Sequence, residues 1–167
     1  LLNSLKPGCS IVETKEVTQG TACSVLLAKS IIDNNQPLVV TNCDQTTNWD
    51  GDAFVQFAQD NQLDGCVTTY EYSDIVLNQK SPYSFLQVDE SSTPIKFEEK
   101  FAISNIALNG IHYWKQGSDF VASAEEMVAA NDRANNEFYV SKTYNYLINK
   151  LGKKLGYYPM CKDSFFA

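Results

Sequence analysis

The sequence predicts an α/β fold in which a mixed, mostly parallel sheet is flanked by helices. Strand-like and helix-like periodicity alternate in the order β-α-β-α-β over residues 9–72, the order of a doubly wound sheet. The run PLVVTNC at 37–43 is apolar, compact and β-branched, the pattern of a strand covered on both faces in a parallel sheet. The 167 residues are 44% hydrophobic and 12% aromatic, enough for one domain with a sizeable core.

The elements follow in order. Residues 9–13 (CSIVE), after Pro7-Gly8, read as a short strand. Residues 20–33 (GTACSVLLAKSIID) read as a helix with Lys29, Ser30 and Asp33 on its polar side, stopped by Asn34, Asn35 and Pro37. The strand at 37–43 runs directly into Asp44. Residues 52–61 place Phe54, Phe57 and Ala58 on one helical face, and 65–72 (GCVTTYEY) form the next strand. Residues 84–89 and 93–98 flank Glu90-Ser91-Ser92 as a hairpin. Residues 105–114 (NIALNGIHYW) are a strand interrupted by Asn109-Gly110. A helix from about residue 118 aligns Phe120, Val121, Ala124, Met127 and Val128, and another over about 139–151 aligns Val140, Tyr144, Leu147, Ile148 and Leu151. Residues 154–160 are a last short strand. No repeat, low-complexity tract or linker interrupts residues 1–167, which read as a single domain.

Charge and composition exclude several classes. Thirteen basic residues against 20 acidic give a net charge of −7, and the densest basic group is only Lys150, Lys153 and Lys154. A nucleic-acid groove needs a cationic stripe, so no nucleic-acid partner is expected. No apolar run approaches the roughly 20 residues that cross a bilayer, and the first residues lack the pattern of a signal peptide, so no membrane partner is expected. Five cysteines with no CxxC suggest neither a zinc site nor a disulfide framework. Reduced thiols and a cytoplasmic location are the expectation.

Three short segments could carry chemistry. Asp44 lies where a strand ends, the place where open α/β sheets bind ligands. A carboxylate there either holds Mg²⁺ together with substrate phosphates or caps the turn. Gln19-Gly20-Thr21 opens a helix, where free N–H groups favour an anion; an ordinary helix cap reads equally well. Glu98-Glu99-Lys100 either sets a cation beside an acceptor of sugar hydroxyls or is a solvated charge run. His112, the only histidine, sits in an apolar strand and reads as a core or edge residue, with no Ser-His-Asp or Cys-His grouping around it. A P-loop and a GxGxxG are both absent.

Taken together, TQGTACSVLLAK (18–29), LVVTNCDQ (38–45), KFEEK (96–100), NIALNGIHYW (105–114) and NDRANNEFYVSKTYNYLI (131–148) resemble the sugar-phosphate nucleotidylyltransferases, or NDP-sugar pyrophosphorylases. The resemblance covers residues of about 9 to 160 and implies a GT-A-like sheet. It also implies transfer of a nucleotidyl group from an NTP to a sugar 1-phosphate, with Mg²⁺ as cofactor. Carried over, it assigns Asp44 to Mg²⁺ and the nucleotide phosphates, and Gln19 and Gly20, with Thr21 beside them, to the nucleoside side. Glu99 is assigned to sugar hydroxyls, Lys100 to the sugar phosphate, Asn109 and Gly110 to the wall of the sugar pocket, and Glu137 to the sugar. The family's Gly-rich loop, GxGxR followed by a lysine, and its second metal-binding Asp have no counterpart in these residues. The resemblance therefore implies an internal fragment of a longer protein, truncated at the N-terminus and of negligible activity alone. Such a domain, lacking edge strands, is expected to expose apolar surface through which a homo-oligomer forms. The alternatives are a glycosyltransferase of the same fold, which usually carries a DxD where this chain has Cys43-Asp44-Gln45, and a non-catalytic sugar-nucleotide-binding domain.

Overall fold

The computed structural model describes residues 2–161 and 165–166. In chain order the helices are α1 (Leu2–Leu5), α2 (Thr21–Leu26), α3 (Lys29–Ile32), α4 (Gly51–Asp60), α5 (Gly117–Ala129) and α6 (Thr143–Asn149), the last preceded by a 3₁₀ turn at Val140–Lys142. The strands are β1 (Leu38–Thr41), β2 (Thr46–Thr47), β3 (Gly65–Glu71), β4 (Lys80–Val88), β5 (Pro94–Phe101), β6 (Ile106–Trp114), β7 (Leu155–Pro159) and β8 (Phe165–Phe166).

Strand β6 is the spine of the main sheet, whose order is β5-β4-β6-β3-β7 with β1 also on β6. One edge of β6 pairs along its length with β3, from Gly65↔Trp114 to Glu71↔Ile106. The other edge is shared. β1 takes the end from Leu38↔Trp114 to Thr41↔Ile111, and β4 takes Phe85↔Ala107. The two neighbours part company around Leu108–Gly110, which leaves a fork in the sheet.

The side chains of β6 alternate between two cores, as a strand's period of two requires. Leu108 and Trp114 join Phe120, Ala124, Met127, Tyr144 and Leu147 beneath α5 and α6. Ile111 and Tyr113 join Phe54 and Ala58 of α4 on the opposite face. Trp114 and Tyr144 stack with ring centroids 5.0 Å apart, and the Tyr144 hydroxyl donates to the Cys66 carbonyl at 3.1 Å. Helix α4 starts where Asp50 Oδ1 accepts from the Ala53 N–H at 3.0 Å, an N-cap that fixes its first turn.

The mixed sheet flanked by helices is as the sequence predicts, but the balance of strand directions is reversed. Among the described residues only the β3–β7 pair is parallel; β1–β6, β3–β6, β4–β5 and β4–β6 are all antiparallel. β1 and β3 do run in the same direction, as a crossover through α4 demands, yet β6 inserts between them. β1 is accordingly not covered on both faces: its burial alternates, and Val39 is 44% exposed. Residues 9–13 form no strand. They pair with no strand, and Ile11 and Val12 lie exposed. The helix expected over 20–33 breaks into α2 and α3. Leu27 N–H and Ala28 N–H bond three residues back, to Ser24 and Val25 carbonyls, which tightens the turn and ends α2. No helix among the described residues is long and apolar enough to cross a membrane.

Candidate functional site

The fork in the sheet opens into a cleft of about 550 Å³. Leu108, Gly110 and His112 of β6 form its floor. The end of β1 and the residues after it (Val40 to Gln45) form one wall, and Pro82 to Ser84 of β4 with Glu99 and Lys100 of β5 form the other. Thr21, Ser24 and Val25 of α2 and the segment Tyr139–Ser141 close it. Segments far apart in sequence therefore meet where strands diverge, the position open α/β sheets use for ligands.

Glu99 is buried, with 4% of its side chain exposed. Its Oε2 accepts from Ser84 Oγ across the β4–β5 ladder, where Ser84 and Glu99 are register partners, and from Ser141 Oγ at 2.6 Å. Its Oε1 faces Lys100 Nζ at 3.4 Å. Lys100 has φ of 62°, a left-handed conformation uncommon for a residue with a Cβ, at an irregularity in β4–β5 pairing. Its Nζ donates to the Pro82 carbonyl at 2.7 Å and lies 5.3 Å from the centre of the Tyr139 ring. Such backbone strain persists only where the surroundings impose it, and it collects at binding sites. Among the described residues, Lys100 is the only lysine or arginine lining the cleft.

Asp44 lies just past β1, exposed and facing the cleft. Its carboxylate has no hydrogen bond or ion pair with any described residue. It is therefore free to bind a cation, and a single carboxylate plus substrate phosphates is the common coordination of Mg²⁺. No group of three or more His, Cys, Asp or Glu suited to hold a metal exists among the described residues. The residues present fit a cation completed by ligand oxygens and not one caged by protein.

The other expected site residues fall into two groups. Thr21, Asn109 and Gly110 line the cleft. The Asn109 amide is engaged elsewhere: its Oδ1 accepts from Thr68 Oγ1, and its Nδ2 lies 3.2 Å from Met160 Sδ. Gly110 has φ of 86°, and an added Cβ would collide with the Asn42 side chain, which lies over it. Gln19, Gly20 and Glu137 are not among the lining residues. Gln19 Oε1 accepts from Arg133 Nη2, and its carbonyl accepts from the Phe138 N–H at 2.8 Å. Gly20, with φ of 125°, lies so close to Phe138 that a Cβ would sit 2.5 Å from its backbone N and O. The Ala22 N–H at the start of α2 donates to the Phe138 carbonyl at 3.0 Å, so that donor is already used. Glu137 is exposed and accepts from the hydroxyl of Tyr139, which does line the cleft.

Sequence reading missed Ser141 and Tyr139, because nothing local marks a serine 42 positions away as a partner of Glu99. It read His112 as a core or edge residue of a strand, and His112 is 6% exposed, stacked on Trp114 and Tyr144. It also contributes to the cleft floor. Its Nδ1 is buried without a partner, and burial lowers the imidazole pKa from 6.5 to about 4, so the ring stays neutral.

Residues 6–153 match the nucleotidyl transferase family, and the chain belongs to it. A comparison with curated proteins found no match. Among solved structures, a nucleoside-diphosphate-sugar pyrophosphorylase from Vibrio cholerae RC9 is similar with a TM-score of 0.72 at 22% identity. The match covers 90% of this chain and 61% of that one. A UDP-glucose pyrophosphorylase complexed with UDP-glucose is similar with a TM-score of 0.65 at 18% identity, covering 87% of this chain and 55% of that one. These likenesses establish a shared fold, and the chain spans 61% and 55% of the lengths of the two proteins.

Proposed function

We propose that the protein belongs to an enzyme that transfers a nucleotidyl group from an NTP to a sugar 1-phosphate, and that the cleft at the fork is its sugar-phosphate side. The observation that carries the reading is the meeting of Asp44, from the segment after β1, with Glu99 and Lys100 of β5 on the walls of one cleft. An oxygen of the sugar 1-phosphate attacks the α-phosphorus of the NTP. The bond from that phosphorus to the β-bridging oxygen breaks, and pyrophosphate leaves with its electron pair. Such a transfer needs positioning and charge neutralisation more than covalent help from the protein.

The residues divide that work. Lys100, steadied by the Pro82 carbonyl, holds the sugar phosphate. Glu99 accepts hydroxyls of the sugar, and the backbone at Gly110 lets the ring approach the floor closely. Asp44 would hold Mg²⁺. Bound there, Mg²⁺ would supply positive charge to the phosphates. With Asp44 the one carboxylate assigned to the metal and Lys100 the one lysine or arginine among the lining residues, this chain by itself is expected to bind sugar phosphate with negligible turnover.

Calorimetry with α-D-glucose 1-phosphate tests the reading. Lys100→Ala is expected to weaken binding by roughly tenfold or more, the usual worth of a hydrogen bond to a charged group. Equal affinity in the two proteins would overturn the role of Lys100.

A further inference from the structure

The Glu99 carboxylate is held more firmly than a simple binding group requires. Two serine hydroxyls, from different elements, both donate to the same oxygen, Oε2. Ser84 reaches it from β4, and Ser141, itself 3% exposed, reaches it from the 3₁₀ turn ahead of α6. Oε1 is left beside Lys100. A carboxylate accepts about four hydrogen bonds, and those at Oε2 are satisfied inside the fold. What remains toward the cleft is Oε1, an acceptor with no spare donor of its own.

The charges around it narrow what can bind. Among the lining residues the carboxylates are Asp44 and Glu99, and Lys100 is the only permanent cation. Its Nζ is already shared between Glu99, the Pro82 carbonyl and the Tyr139 ring. His112 adds no positive charge above a pKa of about 4. One phosphate on the ligand can be balanced; a second anion on the sugar would face a buried carboxylate with no cation left to offset it.

Resting on the reading of this cleft as a sugar 1-phosphate site, we infer that Ser84 and Ser141 are positioning residues that aim Glu99 Oε1 at a sugar hydroxyl, and that the resulting acceptor restricts the site to 1-phosphates of uncharged sugars. Glu99 touches the sugar; the two serines act only through it. With one serine removed, the carboxylate gains a second accessible rotamer and a free acceptor on Oε2. It can then turn away from an incoming anion, so discrimination falls. Hydrogen-bonded acceptors discriminate in this manner because the wrong ligand leaves a buried polar group unpaired or opposed.

The test is calorimetry of the wild type, Ser84→Ala, Ser141→Ala and Ser84→Thr with α-D-glucose 1-phosphate and α-D-glucuronate 1-phosphate. The wild type is expected to prefer the glucose compound by roughly tenfold to a hundredfold, the range for a hydrogen bond to a charged group. Each alanine variant is expected to bring that ratio to within about threefold, and Ser84→Thr, which keeps the hydroxyl, to restore it. A general loss of packing would weaken both ligands together and leave the ratio unmoved. A wild type that binds both ligands equally, or alanine variants with an unchanged ratio, would overturn the inference while leaving the sugar-phosphate reading standing. A wild type that binds neither would overturn that reading, and this inference with it.

Discussion

His112 combines two features that a histidine rarely carries together. It is stacked in an aromatic cluster with Trp114 and Tyr144, and its Nδ1 has no partner. Burial depresses its pKa from 6.5 to about 4. The unfolded chain therefore takes up a proton near the ordinary value, and the folded chain only near pH 4. Stability from this group is present above about pH 6.5 and is lost as the pH falls toward 4, by roughly 3 kcal/mol in all. Replacing it by phenylalanine removes both the titration and the orphaned nitrogen. Urea unfolding at pH 7 and pH 4 is expected to show the wild type losing about that much stability relative to His112→Phe. Parallel losses in both proteins would contradict it. The sequence reads this residue as part of a strand, in the core or at an edge, and it lies buried in β6. The unpaired nitrogen and the open floor beside it depend on neighbours from α6, beyond any local pattern.

Among the elements, two glycines, one in the floor of the cleft and one ahead of α2, permit close approaches of different kinds. Gly20 lies against the backbone of Phe138, which cannot move without breaking the bonds that fasten residues 131–138 to α2. Gly110 lies under the Asn42 side chain, which is exposed and can swing away. Both have positive φ, which costs roughly 1–2 kcal/mol for an alanine. Gly110→Ala is expected to cost about that strain alone, and Gly20→Ala about 3 kcal/mol or more, because a backbone clash adds to it. Chemical denaturation of the two variants reads the order directly, and the reverse order would contradict these roles. The same elements explain where sequence reading stopped. Helix α5, with Phe120, Ala124 and Met127 buried along it, was legible from its period. β1 was legible as a strand but not in its surroundings, since an apolar run does not reveal whether its neighbour is parallel, antiparallel or missing. Residues 9–13 show the converse: the apolar pattern of a strand, in a segment that joins no sheet.

For the whole molecule, the strand that organises the site is the sixth in the chain, placed between two that precede it. β6 pairs with β3 on one edge and divides its other edge between β1 and β4, and the cleft is the gap this division leaves. Asp44 and the pair Glu99 and Lys100 were marked by local sequence, because a carboxylate after a strand and a Glu-Glu-Lys triplet are short patterns. Their convergence was not readable from composition or period; it follows from β1 and the β4–β5 pair sharing one edge of β6. The brace that Ser141 gives Glu99 was invisible for the same reason, since that contact exists only once the 3₁₀ turn before α6 packs against β5.

The proposed function turns on the unpartnered carboxylate of Asp44 binding a divalent cation that bridges to a ligand phosphate. Electron paramagnetic resonance of Mn²⁺, titrated with protein in the presence of UDP-glucose, measures this binding. The wild type is expected to take Mn²⁺ out of the free signal, and Asp44→Asn to weaken this by roughly tenfold or more, as follows when a hard cation loses its one carboxylate. Equal Mn²⁺ uptake by the wild type and Asp44→Asn would contradict it.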